Sequence, residues 1–164
     1  MSGMELWWLG QSGFRLWDPA GGPVVFVDTF LSPHQGRTWE APLRPDELGH
    51  QADVILCTHE HLDHFDQPTL RTAAAVPGAR FNGRDFYRET KRNIVGNMDF
   101  REAARLAVDL DAQALIPMHW ELFPHNRGFP GDLAAYAAQF HPRLTILTFG
   151  RGGRLVYSAA CVKD

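Results

Sequence analysis

A histidine-rich segment at residues 58–64, Thr-His-Glu-His-Leu-Asp-His, constrains this chain more than any other feature of its sequence. Imidazole and carboxylate groups are the ligands that hold Zn²⁺, Mn²⁺ or Fe²⁺ in proteins. Because alternate residues of an extended segment point the same way, His59 and His61 can hold one cation. The loop that follows can then turn Asp63 and His64 toward a second cation beside it. The segment therefore predicts a site for one or two divalent ions, zinc or manganese, with iron as an alternative.

The elements around this segment predict a mixed α/β protein. Asp53 to Cys57 forms a short apolar strand before the histidines, and Asp66 can cap a helix over Gln67 to Val76. A second helix is predicted to begin at Asp99, in a capping box with Glu102, and a third at Asp132, with Leu133, Tyr136, Ala137 and Phe140 facing inward. Further strands are predicted at Glu5–Leu9, Gly13–Trp17 and Pro23–Asp28, as a β-meander, and at Ala114–Met118, Leu144–Phe149 and Arg154–Ala159. Residues 31–52 show no periodicity and are predicted to form a surface loop.

Composition narrows the class of protein. With 164 residues, 45% of them apolar, the chain is predicted to form a single domain over residues 1–164. The net charge of −3, without blocks of like charge, argues against a nucleic-acid partner and favours a small neutral or anionic substrate. The two cysteines indicate a reducing compartment, and we expect the cytoplasm. We expect neither a signal peptide nor a membrane-spanning segment.

The segment Thr-His-x-His-x-Asp-His after an apolar strand resembles the signature of metallo-β-lactamase-fold hydrolases. The stretches Leu9–Phe14 and Val27–Ser32 are similar to the first strands of that fold. Phe81–Asp85 and Ile116–Trp120 are similar to the C-terminal part of its L-ascorbate-6-phosphate lactonase branch. The resemblance implies an αββα sandwich, a metal site at the sheet edges, and hydrolysis of a small lactone or ester, such as a sugar-acid lactone that can carry a phosphate.

The resemblance also assigns roles to individual residues. His119 matches the last metal-ligand histidine of the family and would join Asp63 and His64, and Asp28 would orient a ligand histidine. A hydroxide held on the metal would attack the substrate carbonyl, and Asp63 would be both a metal ligand and the catalytic proton acceptor. Asn82 and Arg84 are candidates for holding the substrate, whereas Cys57 is expected to be a small core residue.

One departure from the family pattern leaves alternatives open. No histidine occurs between His64 and His119, where the family places a third histidine, and Asp85 and Asp99 are poor replacements for its bridging aspartate. The chain could therefore be a degenerate member that binds metal or ligand without turnover. A phosphodiesterase or nuclease of the same fold is the other alternative.

The same departure predicts a seam near residues 80 and 81, which divides an N-terminal half, 1–80, from a C-terminal half, 81–164. The central segment of the family is missing there. Either the gene product lacks the segment, or it was deleted, or the backbone is interrupted at that point and the natural protein is longer. A sandwich without this segment would leave apolar sheet surface uncovered, so a partner subunit in a homo-oligomer is a further expectation.

Overall fold

Two structural units make up the part of the chain that the computed structural model describes, residues 3–59, 61–75, 98–120, 122–124, 128–148 and 150–158. The first unit comprises Met1–Tyr87 and Phe149–Asp164, and the second comprises Arg88–Thr148. The strands are β1 (Met4–Gly10), β2 (Gly13–Trp17), β3 (Val25–Val27), β4 (Val54–Leu56), β5 (Ala114–Leu115), β6 (Thr145–Ile146) and β7 (Arg154–Tyr157). The helices are α1 (Pro45–Gln51), α2 (Gln67–Ala74), α3 (Phe100–Asp109) and α4 (Pro130–Phe140). The mixed α/β class predicted from the sequence is confirmed.

A five-stranded sheet with the order β4-β3-β2-β1-β7 organises the first unit. Strands β1, β2 and β3 form the predicted antiparallel meander. Strand β4 pairs in parallel with β3, in a register that sets Val27 beside Leu56. This topology brings the β1–β2 turn, the end of β3 and the end of β4 to the same end of the sheet. The histidine-rich segment follows β4 directly, so it begins at that end of the sheet.

One face of the sheet is packed against helices. Trp7 and Leu9 of β1 and Phe26 of β3 are buried there together with Leu48 of α1 and Ala73 of α2. Removing this apolar surface from water is the main stabilising contribution that the first unit shows. The core holds the two helices against the sheet and so supports the loops at its edge.

The prediction that residues 31–52 form a surface loop is wrong. Helix α1 lies within this range, and its Leu48 is fully buried. Pro45 begins the helix, and the Glu47 carboxylate accepts the backbone N–H of Arg44 at 2.8 Å. The helix is two turns long, too short for its single buried leucine to produce a visible periodicity, and tertiary packing stabilises it.

Strand β4 is less buried than its apolar sequence predicts. Val54 is 40% exposed and Leu56 is 50% exposed, whereas Ile55 between them packs against the core. Cys57 is exposed as well, so the prediction that it is a small core residue is wrong. The strand lies at the edge of the sheet, and its alternate side chains point away from the helices.

The second unit contains α3, α4 and the parallel pair β5-β6. Its core consists of Ala104 and Ala107 from α3, Leu133 and Ala137 from α4, and Leu144. Helix α3 begins after Asp99 in the predicted capping box. Among the described residues, no helix is long and apolar enough to cross a lipid bilayer.

Two details of this unit differ from prediction. The inward orientation predicted for Phe140 is wrong, because the side chain is 55% exposed at the end of α4. Strand β5 contains only two of the residues predicted at 114–118, since β6, its one strand partner within the described part of the chain, is itself two residues long.

Candidate metal centre

The histidine-rich segment folds back on itself after β4. The backbone N–H groups of His64 and Phe65 both donate to the carbonyl of His61, at 2.9 and 2.7 Å. This turn places the imidazole of His59 beside that of His64, with ring centroids 3.8 Å apart and ring planes tilted by 43°. The centroid of the His61 ring lies 4.6 Å from that of His59. Three imidazoles therefore converge within one loop. His61 is exposed, whereas His64 is buried.

Asp28 anchors this loop from the end of β3. Its side chain is buried, and its backbone adopts a positive φ of 47°. Oδ1 accepts the Thr58 backbone N–H at 2.7 Å, and Oδ2 lies 2.9 Å from Nδ1 of His64. Burial raises the pKa of the Asp28 carboxyl, but the hydrogen bonds from His64 and Thr58 together outweigh it and hold the pKa below its ordinary value of 3.8. Asp28 is therefore a carboxylate, and Nδ1 of His64 carries the proton between them.

The Thr58 hydroxyl extends this control to a second ring. It donates to Oδ2 of Asp28 at 2.8 Å, and its oxygen lies 3.0 Å from Nδ1 of His59. Because its single proton goes to Asp28, the hydroxyl oxygen must accept the Nδ1–H of His59. Both histidines are thus set in the tautomer that presents a lone pair on Nε2, the form in which imidazole binds a metal.

The β1–β2 turn contacts the other end of the loop. The side-chain amide of Gln11 donates to Oδ2 of Asp63 at 3.0 Å, and the Ser12 hydroxyl lies 3.1 Å from Nε2 of His64. Both turn residues are buried. The resemblance to the family includes Gln11 and Ser12 but assigns neither residue a role. The sequence feature that could have identified them as site residues is their position in a tight turn before Gly13.

Asp66 fastens the loop to the body of the unit. This fully buried carboxylate accepts hydrogen bonds from the backbone N–H groups of Leu31 and Ser32 and from the hydroxyls of Ser32 and Thr69. Asp66 is also the N-cap of α2, as predicted, and accepts from the Thr69 N–H. The loop is therefore fixed at one end by Asp28 and at the other by Asp66.

Cys57 lies between β4 and the histidines. Partial burial of the sulfur, more than the charge of Asp28, raises the pKa of the Cys57 thiol to about 11, although the residue as a whole is exposed. The metal-free protein therefore carries a neutral thiol at this position, which is a poor metal ligand.

The remaining predicted residues are not part of this loop. His119 follows β5 in the second unit and has a positive φ of 64°. Its role as a metal ligand stays a prediction. Asp99 is the N-cap of α3, and its side chain accepts from Arg101 and Glu102. Asn82, Arg84, Asp85 and the seam at residues 80 and 81 lie outside the described residues.

The donor set of the loop fits a divalent cation. His59 and His64 present Nε2 lone pairs, Asp63 supplies a carboxylate, and hydrogen bonds with Gln11, Thr58 and Asp28 orient these three groups. Imidazole and carboxylate donors with such partners are typical of zinc and manganese sites.

The comparison with protein families agrees with this geometry. The family profile described as "Beta-lactamase superfamily domain" matches residues 5–91, more than half of the 164-residue chain. The chain belongs to the beta-lactamase superfamily. The match includes the β1–β2 turn, Asp28 and the whole histidine-rich segment.

Several bacterial and archaeal relatives share this part of the chain. A UPF0173 metal-dependent hydrolase of Polaromonas sp. is 44% identical over 80 residues, which cover 44% of this chain and 26% of that protein. A UPF0173 metal-dependent hydrolase of Rubrobacter xylanophilus is 36% identical over 85 residues, which cover 51% of this chain and 29% of that protein. The matched part of the chain thus spans only about a quarter of the length of these relatives.

Two solved structures share the fold. Igni18, a metallo hydrolase from Ignicoccus hospitalis, superposes with a TM-score of 0.69 at 13% identity, covering 96% of this chain and all of that one. An isothiocyanate hydrolase from Delia radicum gut bacteria superposes with a TM-score of 0.58 at 15% identity, also covering 96% of this chain. At these identities the likeness establishes the fold alone.

Proposed function

We propose that this protein is a metal-dependent hydrolase that cleaves a small lactone or ester. The observation that carries the proposal is the orientation of His59 and His64 by Asp28 and Thr58, which leaves Nε2 of each ring as the nitrogen that can bind a metal. Nε2 of His64 lies 3.9 Å from Oδ2 of Asp63. In metal centres, a hydrogen bond to the other ring nitrogen usually fixes the tautomer of each ligand histidine. A loop with a purely structural role does not require two histidines to be fixed in this way. The UPF0173 relatives, which carry the name metal-dependent hydrolase, support the proposal.

The residues of the proposed site have two roles, which are metal binding and proton transfer. His59, His61, Asp63 and His64 would hold one or two divalent cations, with His119 as a further ligand from the second unit. A cation bound there would supply Lewis acidity, polarising the substrate carbonyl and lowering the pKa of water. The Asp63 carboxylate would accept the proton of the attacking water. The water oxygen would form a bond to the carbonyl carbon, the ester C–O bond would break, and the proton taken up by Asp63 would pass to the released alkoxide oxygen. The products are a carboxylic acid and an alcohol, which stay in one molecule when the substrate is a lactone.

The substrate class rests on sequence resemblance. The stretches Phe81–Asp85 and Ile116–Trp120 are similar to the L-ascorbate-6-phosphate lactonase branch, which suggests a sugar-acid lactone. Asn82 and Arg84 are proposed to hold this substrate, and the planar guanidinium of Arg84 suits a phosphate group. The net charge of −3 without basic blocks favours a small molecule over nucleic acid.

Elemental analysis and a substrate panel test the proposal together. Protein purified without added metal should contain about one or two equivalents of zinc, manganese or iron and should hydrolyse lactones or carboxylate esters. Asp63→Ala should lower this activity by at least about a hundredfold while the protein stays folded, because the side chain serves the site more than the core. Leu62→Ala is the matched control, since this neighbour is 49% exposed in the same loop.

The outcomes separate the proposal from its alternatives. Metal binding without hydrolysis of any lactone or ester would support the alternative that the chain is a degenerate member of the family. The absence of a histidine between His64 and His119 favours this alternative. Hydrolysis of phosphodiesters, with binding to nucleic acid that weakens as salt increases, would support a nuclease. Unchanged activity in Asp63→Ala would eliminate the proposed mechanism.

A further inference from the structure

We propose that two adjacent residues of the β1–β2 turn act in opposite directions on the affinity of the loop for a divalent cation. Gln11 strengthens binding because it positions Asp63, whereas Ser12 weakens binding because its hydroxyl competes with the cation for His64. The inference rests on the proposed function, since it assumes that this loop holds a cation.

The turn is rigid enough for both effects. Gln11 and Ser12 are each 1% exposed, and the indole N–H of Trp8 donates to the Gln11 carbonyl at 2.9 Å. A Cβ at Gly13 would lie 3.0 Å from the carbonyl oxygen of Gly10 and 3.1 Å from that of Asp28, so the turn packs tightly against the end of β3. The backbone of Gln11 has a positive φ of 49°, which costs free energy in a residue other than glycine. The surrounding contacts hold the turn in this conformation.

Gln11 acts through the orientation of a carboxylate. Its amide N–H donates to Oδ2 of Asp63 at 3.0 Å and so restricts rotation of the carboxylate group. The donor is neutral, so it stabilises the ionised form of Asp63 without bringing a second charge into the site. Loss of a residue that hydrogen-bonds to a metal ligand typically lowers the metal affinity by about 10- to 100-fold. Gln11 is therefore a positioning residue.

Ser12 acts through the lone pair that the cation needs. Asp28 holds the proton on Nδ1 of His64, so Nε2 is an acceptor, and the Ser12 hydroxyl donates to it at 3.1 Å. The ring cannot offer its other nitrogen, because the contact with Asp28 occupies it. A cation can bind Nε2 only if the Ser12 hydroxyl withdraws. The lost hydrogen bond costs about fivefold in affinity at the usual net strength of such bonds.

The test is a titration of chelator-treated, full-length protein with Zn²⁺ in competition with a chromogenic chelator. Gln11→Met, which keeps the length of the side chain without its donor, should bind Zn²⁺ about 10- to 100-fold more weakly than the wild type. Ser12→Ala should bind Zn²⁺ about fivefold more tightly. The matched controls Gln139→Met and Ser158→Ala change exposed residues in the same way and should match the wild type.

Thermal unfolding of the metal-free variants separates this inference from a general loss of structure. Ser12→Ala loses a buried hydrogen bond, so it should unfold at a lower temperature than the wild type while it binds Zn²⁺ more tightly. A merely structural role would move both measurements in the same direction. If Gln11→Met does not fold, Gln11→Asn replaces it, because Asn tolerates a positive φ and its amide is too short to reach Asp63.

Each result decides one question. Zn²⁺ binding that is unchanged or weaker in Ser12→Ala would overturn the competing role of Ser12, and unchanged binding in the Gln11 variant would overturn the positioning role. A wild-type chain that takes up no divalent cation would overturn the proposed function and this inference together. The failure of the wild type is therefore distinguishable from the failure of a single variant.

Discussion

Oδ2 of Asp28 lies 2.9 Å from Nδ1 of His64, and this contact joins residues 36 positions apart in the sequence. It connects the end of β3 to the last histidine of the loop. Because the carboxylate can only accept, the contact decides which ring nitrogen of His64 carries a proton. Thr58, bonded to the same carboxylate, transmits the effect to His59. One buried side chain thus sets the tautomers of two predicted metal ligands.

Asp28→Asn should therefore weaken both the metal centre and the fold. Asn keeps the shape of the side chain and tolerates the φ of 47° at this position, but it lacks the charge. We expect Zn²⁺ affinity to fall by about 10- to 100-fold. The free energy of unfolding of the metal-free protein should fall by about 2 kcal/mol at pH 7, because hydrogen bonds to a charged group are lost. Urea denaturation measures this loss.

The pH dependence of that loss has a defined sign. The pKa of Asp28 in the folded protein lies below its ordinary value of 3.8, which also applies to the unfolded chain. The carboxylate therefore stabilises the fold above pH 4 or so, and this contribution disappears as the pH falls through the folded pKa. The difference in unfolding free energy between the wild type and Asp28→Asn should shrink on going from pH 7 to pH 3. A constant difference would contradict the assignment.

Thr58→Val tests the link between Asp28 and His59. Valine fills nearly the same volume but can neither donate to Asp28 nor accept from His59. We expect about tenfold weaker Zn²⁺ binding, because the His59 ring loses the partner that orients it. The control is Thr72→Val, the same change on the exposed face of α2, which should bind Zn²⁺ like the wild type. Equal losses in both variants would count against a specific role for Thr58.

Asp66→Ala should destabilise the protein far more than the loss of an ordinary helix cap. The substitution leaves several buried donors of Leu31, Ser32 and Thr69 unsatisfied, at a cost of roughly 3 kcal/mol or more. Asp99→Ala removes the exposed N-cap of α3 and should cost only about 1 kcal/mol. Chemical denaturation of the two metal-free variants compares them directly, and similar costs would refute the anchoring role of Asp66.

Gly10→Ala probes the packing beside the β1–β2 turn. A Cβ at Gly10 would lie 2.9 Å from the Trp39 ring, and the φ of 105° is strained for any residue with a side chain. Gly21 has a similar φ of 106° but open space around it, so Gly21→Ala reports the backbone strain alone. We expect Gly10→Ala to be the more destabilising by about 1 to 3 kcal/mol, measured as the difference in unfolding free energy. Equal effects would show that the Trp39 ring moves aside without cost.

His119→Ala tests the ligand that sequence resemblance assigns to the second unit. Loss of a ligand should weaken Zn²⁺ binding by at least about tenfold or reduce the number of ions bound per chain. His50→Ala, on the exposed surface of α1, is the control and should leave both quantities unchanged. If His119→Ala also binds Zn²⁺ like the wild type, then His119 is no ligand, and the assignment drawn from the family is wrong at that position.

Features that depend on neighbouring residues could be predicted before the fold was known. The alternation of Phe14 and Leu16 predicts β2 at Gly13–Trp17, which are the bounds observed in the structure. Asp66 and Asp99 predict the starts of α2 and α3. The spacing of the histidines predicts a compact cluster, since residues two apart in an extended segment share a direction. Each of these inferences needs only residues within a few positions of one another.

The contacts that hold the histidine cluster in place become visible only in the folded protein. Gln11 and Ser12 contact Asp63 and His64 across 52 positions, and no periodicity in the sequence links these pairs. The exposure of β4 was likewise invisible in its apolar sequence, because burial depends on which strand forms the edge of the sheet. Helix α1 is too short to form on its own and exists because Leu48 packs into a core that distant strands build. Contacts of this kind depend on chain topology, whereas capping and alternation depend on neighbouring residues.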